Sequence, residues 1–313
     1  MTYCVEDLLE AHGKSLELEL VAGKSGLKRK IKVPEANRPG LSLVGYFKGH
    51  ARQRLLVLGK VEINYLRDLN QKMRLTRLKA ILTSQTPAVI VTRRLRPGRE
   101  LIELCEEHGI PLFRSSKTTM SCLNKLSMLL FDEFAPSLTC HGSLVEVFGV
   151  GVLIQGESSV GKSEASLGLL ERGHRLISDD IVKVKRREGG YLEGSGVELS
   201  RHHMEVRGIG IINVAHIYGA VCVRDKKSLD LVVKLETWDD DFFYDRVGLE
   251  EKSITILQIP VPYHLLPVKP GRDVVLLLET IASNHRLKQM GYHSAKEFNA
   301  KLLSTLEYKT RKQ

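Results

Sequence analysis

The sequence predicts an α/β protein of two domains, a small N-terminal α/β domain over residues 1–133 and a phosphate-binding domain over residues 134–313. Three observations predict it. A length of 313 residues is enough for two cores. Short apolar runs alternate with amphipathic stretches through the first part of the chain, the pattern of strands alternating with helices. Finally, Gly156-Glu157-Ser158-Ser159-Val160-Gly161-Lys162-Ser163 fits G-x-x-x-x-G-K-[ST] between a strand-like and a helix-like segment.

In the N-terminal part, residues 5–11 read as a helix and Leu16-Glu17-Leu18-Glu19-Leu20 as a half-buried strand of period two. Residues 34–40 read as a loop. Leu55-Leu56-Val57-Leu58-Gly59 reads as a strand, followed by a helix over 62–69. Ala80-Ile81-Leu82-Thr83 and Ala88-Val89-Ile90-Val91-Thr92 suit buried parallel strands. Residues 99–108 form a helical pattern that stops at Gly109, a glycine placed to end it. Residues 118–134 are a longer amphipathic stretch, suited to connect the domains.

The character changes near Pro136. Residues 141–155 read as two strands joined at Gly149-Val150-Gly151. Residues 175–184 form a strand region interrupted by Asp179-Asp180. Residues 220–224 and 229–235 flank Asp225-Lys226-Lys227-Ser228, a hairpin pattern. Residues 253–260 are strand-like, and 274–289 and 295–306 are helical.

Composition narrows the class. With 42% hydrophobic and 27% charged residues, the chain is globular rather than disordered or fibrous. No apolar run is long enough to span a bilayer, and the first residues lack the basic and apolar regions of a signal peptide. The cysteines (Cys4, Cys105, Cys122, Cys140, Cys222) are odd in number and include no C-x-x-C, which predicts a reducing cytoplasm without a disulfide framework or zinc site. The formal net charge of +10 is carried by residues 1–132, where 23 Lys and Arg face 13 Asp and Glu; the rest of the chain balances. With no helix-turn-helix, RNP or zinc-finger pattern, this excess reads as a solvated basic face, and nucleic acid is not expected as a partner.

The residues that carry chemistry start from the loop. Its backbone N–H groups and the following helix N-terminus suit phosphate oxygens, Lys162 suits the β- and γ-phosphates, and the Ser163 hydroxyl suits Mg²⁺. In Asp179-Asp180, which ends an apolar run, a carboxylate can hold Mg²⁺ or act as a base. Gly208 and Gly210 permit tight turns or close approach of a ligand, and Glu205 and Arg207 share a face if their segment is a strand. Pro267-Val268-Lys269-Pro270-Gly271-Arg272 is a rigid loop carrying two cations, suited to an anion or to an ordinary turn.

Together these stretches resemble the HPr kinase/phosphorylase family, bacterial enzymes that phosphorylate a serine of the phosphocarrier protein HPr and also remove that phosphate. The resemblance extends over nearly the whole chain. It rests on Ala36-Asn37-Arg38-Pro39-Gly40-Leu41, on Thr86-Pro87-Ala88-Val89-Ile90-Val91-Thr92, on His141-Gly142 through the phosphate loop, and on Asn284-His285-Arg286-Leu287-Lys288-Gln289-Met290-Gly291-Tyr292. Its most diagnostic part is Met204-Glu205-Val206-Arg207-Gly208-Ile209-Gly210-Ile211-Ile212-Asn213.

The resemblance implies that the C-terminal domain is a P-loop kinase domain on a fold resembling phosphoenolpyruvate carboxykinase. It implies catalytic roles for His141, Lys162, Asp180 and Arg246, with Asp180 exchanging the serine proton, and Mg²⁺ on Ser163 and Glu205. Residues 204–213 would serve both reactions and residues 267–272 mainly dephosphorylation. ATP would be the phosphoryl donor, inorganic phosphate the co-substrate of the reverse reaction, HPr the partner, and the assembly a homohexamer. Two positions depart from the family pattern. Ser159 stands where glycine is favoured and lacks its access to positive φ, and Lys269 stands where arginine is expected. Two other readings of the same loop are a small-molecule kinase and a regulator whose nucleotide site switches a nucleic-acid-binding domain.

Overall fold

A computed structural model describes residues 3–48, 52–245 and 248–310, the last five by backbone alone. The chain divides into two compact units, Met1–Ala135 and Pro136–Gln313.

The first unit runs α1 (Val5–Leu16), β1 (Leu18–Ala22), β2 (Ala36–Asn37), α2 (Gly40–Leu43), β3 (Leu55–Leu58), α3 (Lys60–Asp68), α4 (Gln71–Ile81), β4 (Val89–Val91), α5 (Arg99–Glu107), β5 (Leu112–Ser115) and α6 (Thr119–Phe134). Its sheet has the order β1-β5-β4-β3-β2, parallel from β2 to β5 with β1 antiparallel at the edge. The apolar runs of β3 and β4 are continuous because both sheet faces are covered. Leu56, Leu58, Val89 and Val91 pack against α3, α4 and α5, while Leu55, Val57 and Ile90 pack against α1 and α6.

Two local expectations change here. Leu16 belongs to the first helix, and the strand starts beyond Glu17, which turns the chain at φ 54°. Residues 80–81 end a helix rather than form a strand. Asn70 caps that helix on the Met73 N–H, and Leu78 and Ile81, three apart, put the apolar run on its buried face.

The second unit runs β6 (Ser137–His141), β7 (Ser143–Val147), β8 (Val150–Gly156), α7 (Lys162–Glu171), β9 (Arg175–Ser178), β10 (Ile181–Arg187), β11 (Tyr191–Gly196), β12 (His203–Val206), β13 (Gly210–Asn213), α8 (Val214–Tyr218), β14 (Lys226–Ser228), β15 (Leu231–Thr237), β16 (Ser253–Ile256), β17 (Ile259–Val268), α9 (Val274–Gln289) and α10 (Ser294–Thr310). Three layers result. A six-stranded sheet, β16-β17-β15-β8-β7-β9, carries α7 and α9 on one face and a four-stranded antiparallel sheet, β14-β11-β10-β6, on the other. Strand β8 shows the alternation, with Val152 and Ile154 under the helices and Leu153 between the sheets.

The hairpin expected around 225–228 does not form. Strand β14 pairs with β11 and β15 with β8, so the chain changes sheets at Asp230, whose carboxylate accepts from the Gly151 N–H at 2.8 Å. The turn expected at 149–151 lies one position earlier, at Phe148 and Gly149, both at positive φ.

Leu153 is fully buried between the two sheets. Leu153→Ala is expected to cost about 2–5 kcal/mol, read as a lower urea midpoint at unchanged denaturant slope. A midpoint shift worth under about 1 kcal/mol would mean that the sheets close over the lost volume.

Candidate active site

Strand β8 delivers the phosphate loop to the carboxyl edge of the parallel strands β8, β15 and β17, the edge where open α/β sheets bind ligands. Gly156 lies opposite Leu235 and takes φ 148°; a Cβ there would stand 2.5 Å from the Leu235 carbonyl oxygen. Ser159 holds φ 73°, so the loop keeps the left-handed turn although this residue is not glycine, at a cost of about 1–2 kcal/mol. Two cations grip the loop. Lys162 Nζ donates to the carbonyls of Gly156 and Glu157 at 2.9 and 2.7 Å. Arg207 donates from Nη2 to Ser158 Oγ at 2.8 Å and from Nη1 to Ser159 Oγ.

Asp179 and Asp180 occupy the two-residue passage from β9 in the larger sheet to β10 in the smaller one. The Asp179 side chain is buried. Ser143 Oγ donates to its Oδ1 at 2.5 Å, Ser163 Oγ to its Oδ2 at 3.1 Å, and the backbone of Glu205 also bonds it. Burial raises this carboxyl above its ordinary value of 3.8, and the hydrogen bonds oppose that rise. Asp180 faces solvent. The Ile181 N–H reaches back to the Asp179 carbonyl at 2.8 Å, closing a γ-turn around Asp180 at φ 63°, the rare strained form. Its own carbonyl accepts from the Gly142 N–H at 2.9 Å, and His141 lies opposite Ile181 in the β6–β10 ladder, exposed beside it.

Residues 204–213 form the hairpin β12–β13. Met204 and Val206 enter the core beside α7, and Glu205 between them is exposed. The strand stops at Val206, so Glu205 and Arg207 do not share a strand face. Arg207 opens the turn through Gly208 and Gly210, both at positive φ, and reaches the phosphate loop. Beyond β15, Val268 ends β17, and its carbonyl accepts from the Trp238 N–H at 2.8 Å. Lys269 Nζ sits 4.9 Å from the centre of the Trp238 ring, a cation–π contact, and Arg272 donates to the Pro267 carbonyl at 2.7 Å. Arg246 lies outside the described residues.

The structure thus gathers the loop, Lys162, Ser163, Asp180, His141, Glu205 and Arg207. Residues 267–272 stand on the same sheet edge, two strands from β8 with β15 between. It adds Ser143, and it separates Asp179 from Asp180, which the sequence offered together as candidate carboxylates. Ser143 carries no sequence signal. Asp179 had one, since it is the nearer of the two acids to the apolar run Leu176-Ile177. Among the described residues no three His, Cys, Asp or Glu side chains form a metal cage. The hard oxygens of Ser163, Asp179 and Glu205 suit Mg²⁺ of the kind completed by substrate phosphates and water. No helix among the described residues is long and apolar enough to cross a membrane.

The Asp179 titration has a defined sign. Its native value is raised, so the folded state holds a proton that the unfolded state has released. The stability this gives is full below 3.8 and is lost as pH rises through the native value. Asp179→Asn has no charge to desolvate. Its melting temperature in metal-free buffer is expected to gain on that of the wild type as pH rises from about 4 to 7. A difference independent of pH would refute the assignment.

Comparison with known proteins gives a consistent result. Residues 4–130 match the HPr Serine kinase N terminus and residues 132–302 the HPr Serine kinase C-terminal domain. The HPr kinase/phosphorylase of Bacillus cytotoxicus is 41% identical over 302 residues, 96% of this chain and 96% of that protein. That of Caldanaerobacter subterraneus is 41% identical over 293 residues, 94% of this chain and 96% of that protein. A solved structure of the Hpr(Ser) kinase/phosphatase from Coxiella burnetii is 36% identical and covers 51% of this chain and 98% of that one, with a TM-score of 0.47.

Proposed function

The chain belongs to the HPr serine kinase family, and we propose that it transfers the γ-phosphoryl group of ATP to a serine of HPr and, with inorganic phosphate, returns phosphoserine-HPr to HPr. The observation that carries the mechanism is the division of labour in Asp179-Asp180. One carboxylate is buried on the Ser163 hydroxyl, and its neighbour is turned out to solvent where a protein side chain can reach it.

In the forward direction Asp180 accepts the proton of the incoming serine hydroxyl as its oxygen bonds the γ-phosphorus and the bond to the β-phosphate oxygen breaks. Lys162 and Arg207 lie on the loop that would cradle the phosphates and offset charge on the transferring group. The resemblance gives Arg246 the same task. His141, beside the Asp180 turn, orients the acceptor or its carboxylate. Mg²⁺ would be held by Ser163, Asp179 and Glu205 and would neutralise charge on the nucleotide phosphates. In reverse, phosphate oxygen attacks phosphoserine, and Asp180, now protonated, returns its proton to the departing serine oxygen as pyrophosphate is released. Residues 267–272 would position the attacking phosphate, with Lys269 Nζ 4.9 Å from the centre of the Trp238 ring in the structure. A homohexamer is implied by the resemblance alone.

The deciding experiment is intact-mass measurement of purified HPr after incubation with this protein, ATP and Mg²⁺. The expected result is one added phosphate on a serine, absent with Lys162→Ala. Asp180→Asn is expected to lower both transfer and its reversal by about 10²–10⁴-fold while still binding nucleotide. Unmodified HPr together with turnover of a small acceptor would instead make this a small-molecule kinase.

A further inference from the structure

One edge of the first unit's sheet is both cationic and apolar. The parallel strands β2, β3, β4 and β5 all end there, and at the usual strand spacing their ends span about 14 Å. The segments that leave this edge are 38–41, 59–62, 92–96 and 117–120. They hold six cations, Arg38, Lys60, Arg93, Arg94, Arg96 and Lys117, against one carboxylate, Glu62. Glu62 is buried and already engaged by Arg38 and by the Gly59 N–H at 2.9 Å. Lys117 pairs with Glu17 at 3.1 Å. Among the described residues no carboxylate pairs with Lys60, Arg93, Arg94 or Arg96. Apolar side chains stand among these cations. Helices α2, α3 and α6 begin at this edge, and the second residue of each is apolar and exposed: Leu41 and Val61 at 69%, Met120 at 67%. A helical Cα–Cβ bond tilts toward the helix N-terminus, so these three side chains lean toward the edge.

The edge is preformed. The buried Thr92 and Thr119 hydroxyls bond at 2.9 Å, and a Cβ on Gly59 would stand 2.5 Å from Thr119 Oγ1. Beyond β4 the chain turns through Arg93 at φ 61° and Arg94 at φ 52°. Their N–H groups donate to the carbonyls of Lys117 and Ser115 at 2.8 and 2.9 Å. Glycine is the residue such backbone favours, so two exposed arginines here are charge kept against conformational preference. Cations around exposed apolar side chains complement an acidic helix with one apolar face. A width of about 14 Å takes one helix of about 10–12 Å diameter. We infer that this edge docks an acidic amphipathic helix of a partner protein. Leu41, Val61 and Met120 meet its apolar face, and Lys60, Arg93 and Arg94 meet its flanking carboxylates. Single-stranded nucleic acid is the poorer fit, because bases stack on aromatic side chains and none of the four segments holds one.

The probe is a fluorescent peptide of about eighteen residues, with leucines along one helical face and glutamates around the rest. Anisotropy titration with the full chain is expected to show saturable binding. Arg93→Gly/Arg94→Gly removes two charges while glycine suits their backbone, and it is expected to weaken binding by about tenfold or more. Val61→Asp/Met120→Asp changes two exposed side chains in first helical turns, where acids are favourable, and should weaken binding to a similar degree, about tenfold. A peptide of the same composition with its leucines scattered around the helix should bind at least about tenfold more weakly. None of these residues belongs to the phosphate-loop site, so the result is read independently of phosphotransfer. The inference is overturned if the peptide does not bind, if either folded variant leaves its binding unchanged, or if the scattered peptide binds equally well. It is also overturned if a single-stranded RNA binds more tightly than the peptide and loses that binding in the same variants.

Discussion

The buried carboxylate of Asp179 is the interaction on which the site depends. It joins three segments far apart in sequence: the strand that begins at Ser143, the helix that begins at Lys162, and the hairpin that carries Glu205. A charge there is costly to desolvate, and its hydrogen bonds return only part of that cost. What the protein gains is geometry. With Asp179 fixed, the Ser163 hydroxyl has a set direction, the glycine-rich hairpin lies against α7, and Asp180 is turned outward because its neighbour is turned in.

A second constraint is the parallel trio β8, β15 and β17. Parallel strands end on the same edge, so the loops that follow them meet without further design: the phosphate loop, the Trp238 segment and residues 267–272. On that edge the cations are held by neutral partners. Lys162 lies on carbonyls, Arg207 on serine hydroxyls, Lys269 on an indole face and Arg272 on a carbonyl. Neutral partners hold a cation more weakly than a carboxylate does, so under the proposed function a phosphate would meet, among the described residues, no ion pair at these four side chains.

Much of this was legible in the sequence because it is local. The phosphate loop is a motif of eight residues with its strand and helix attached, and α9 follows from one unbroken apolar pattern. What was not legible depends on partners distant in the chain. Residues 225–228 read as the tip of a hairpin because their true neighbour, β11, lies some thirty residues earlier. Ala80-Ile81-Leu82-Thr83 is a short apolar run, and such runs fit a strand or a helix end equally until the preceding turn is known. Which of Asp179 and Asp180 is buried and which exposed could not be read for the same reason. Two adjacent acids differ only in which one continues the buried face of β9, and that is set by where the strand stops. Ser159 is the opposite case. Its departure from glycine was visible, and the fold absorbs it as strain, with its hydroxyl engaged by Arg207.

The passage between the sheets also bears on how such a chain can change over generations. Ser178 closes β9 and Ile181 opens β10, and Ser178 Oγ donates across the gap to the Ile181 carbonyl at 2.6 Å. The buried stretch of β9 runs on through Asp179, and the γ-turn centred on Asp180 carries the next side chain out, so the count of residues here decides which acid is interior. A lineage can exchange side chains on either flank one at a time and keep both roles. Losing or gaining a single codon between Ser178 and Ile181 would move both roles at once, with no viable half-step. Variation in this stretch is therefore expected as replacements at fixed length, while insertions accumulate elsewhere.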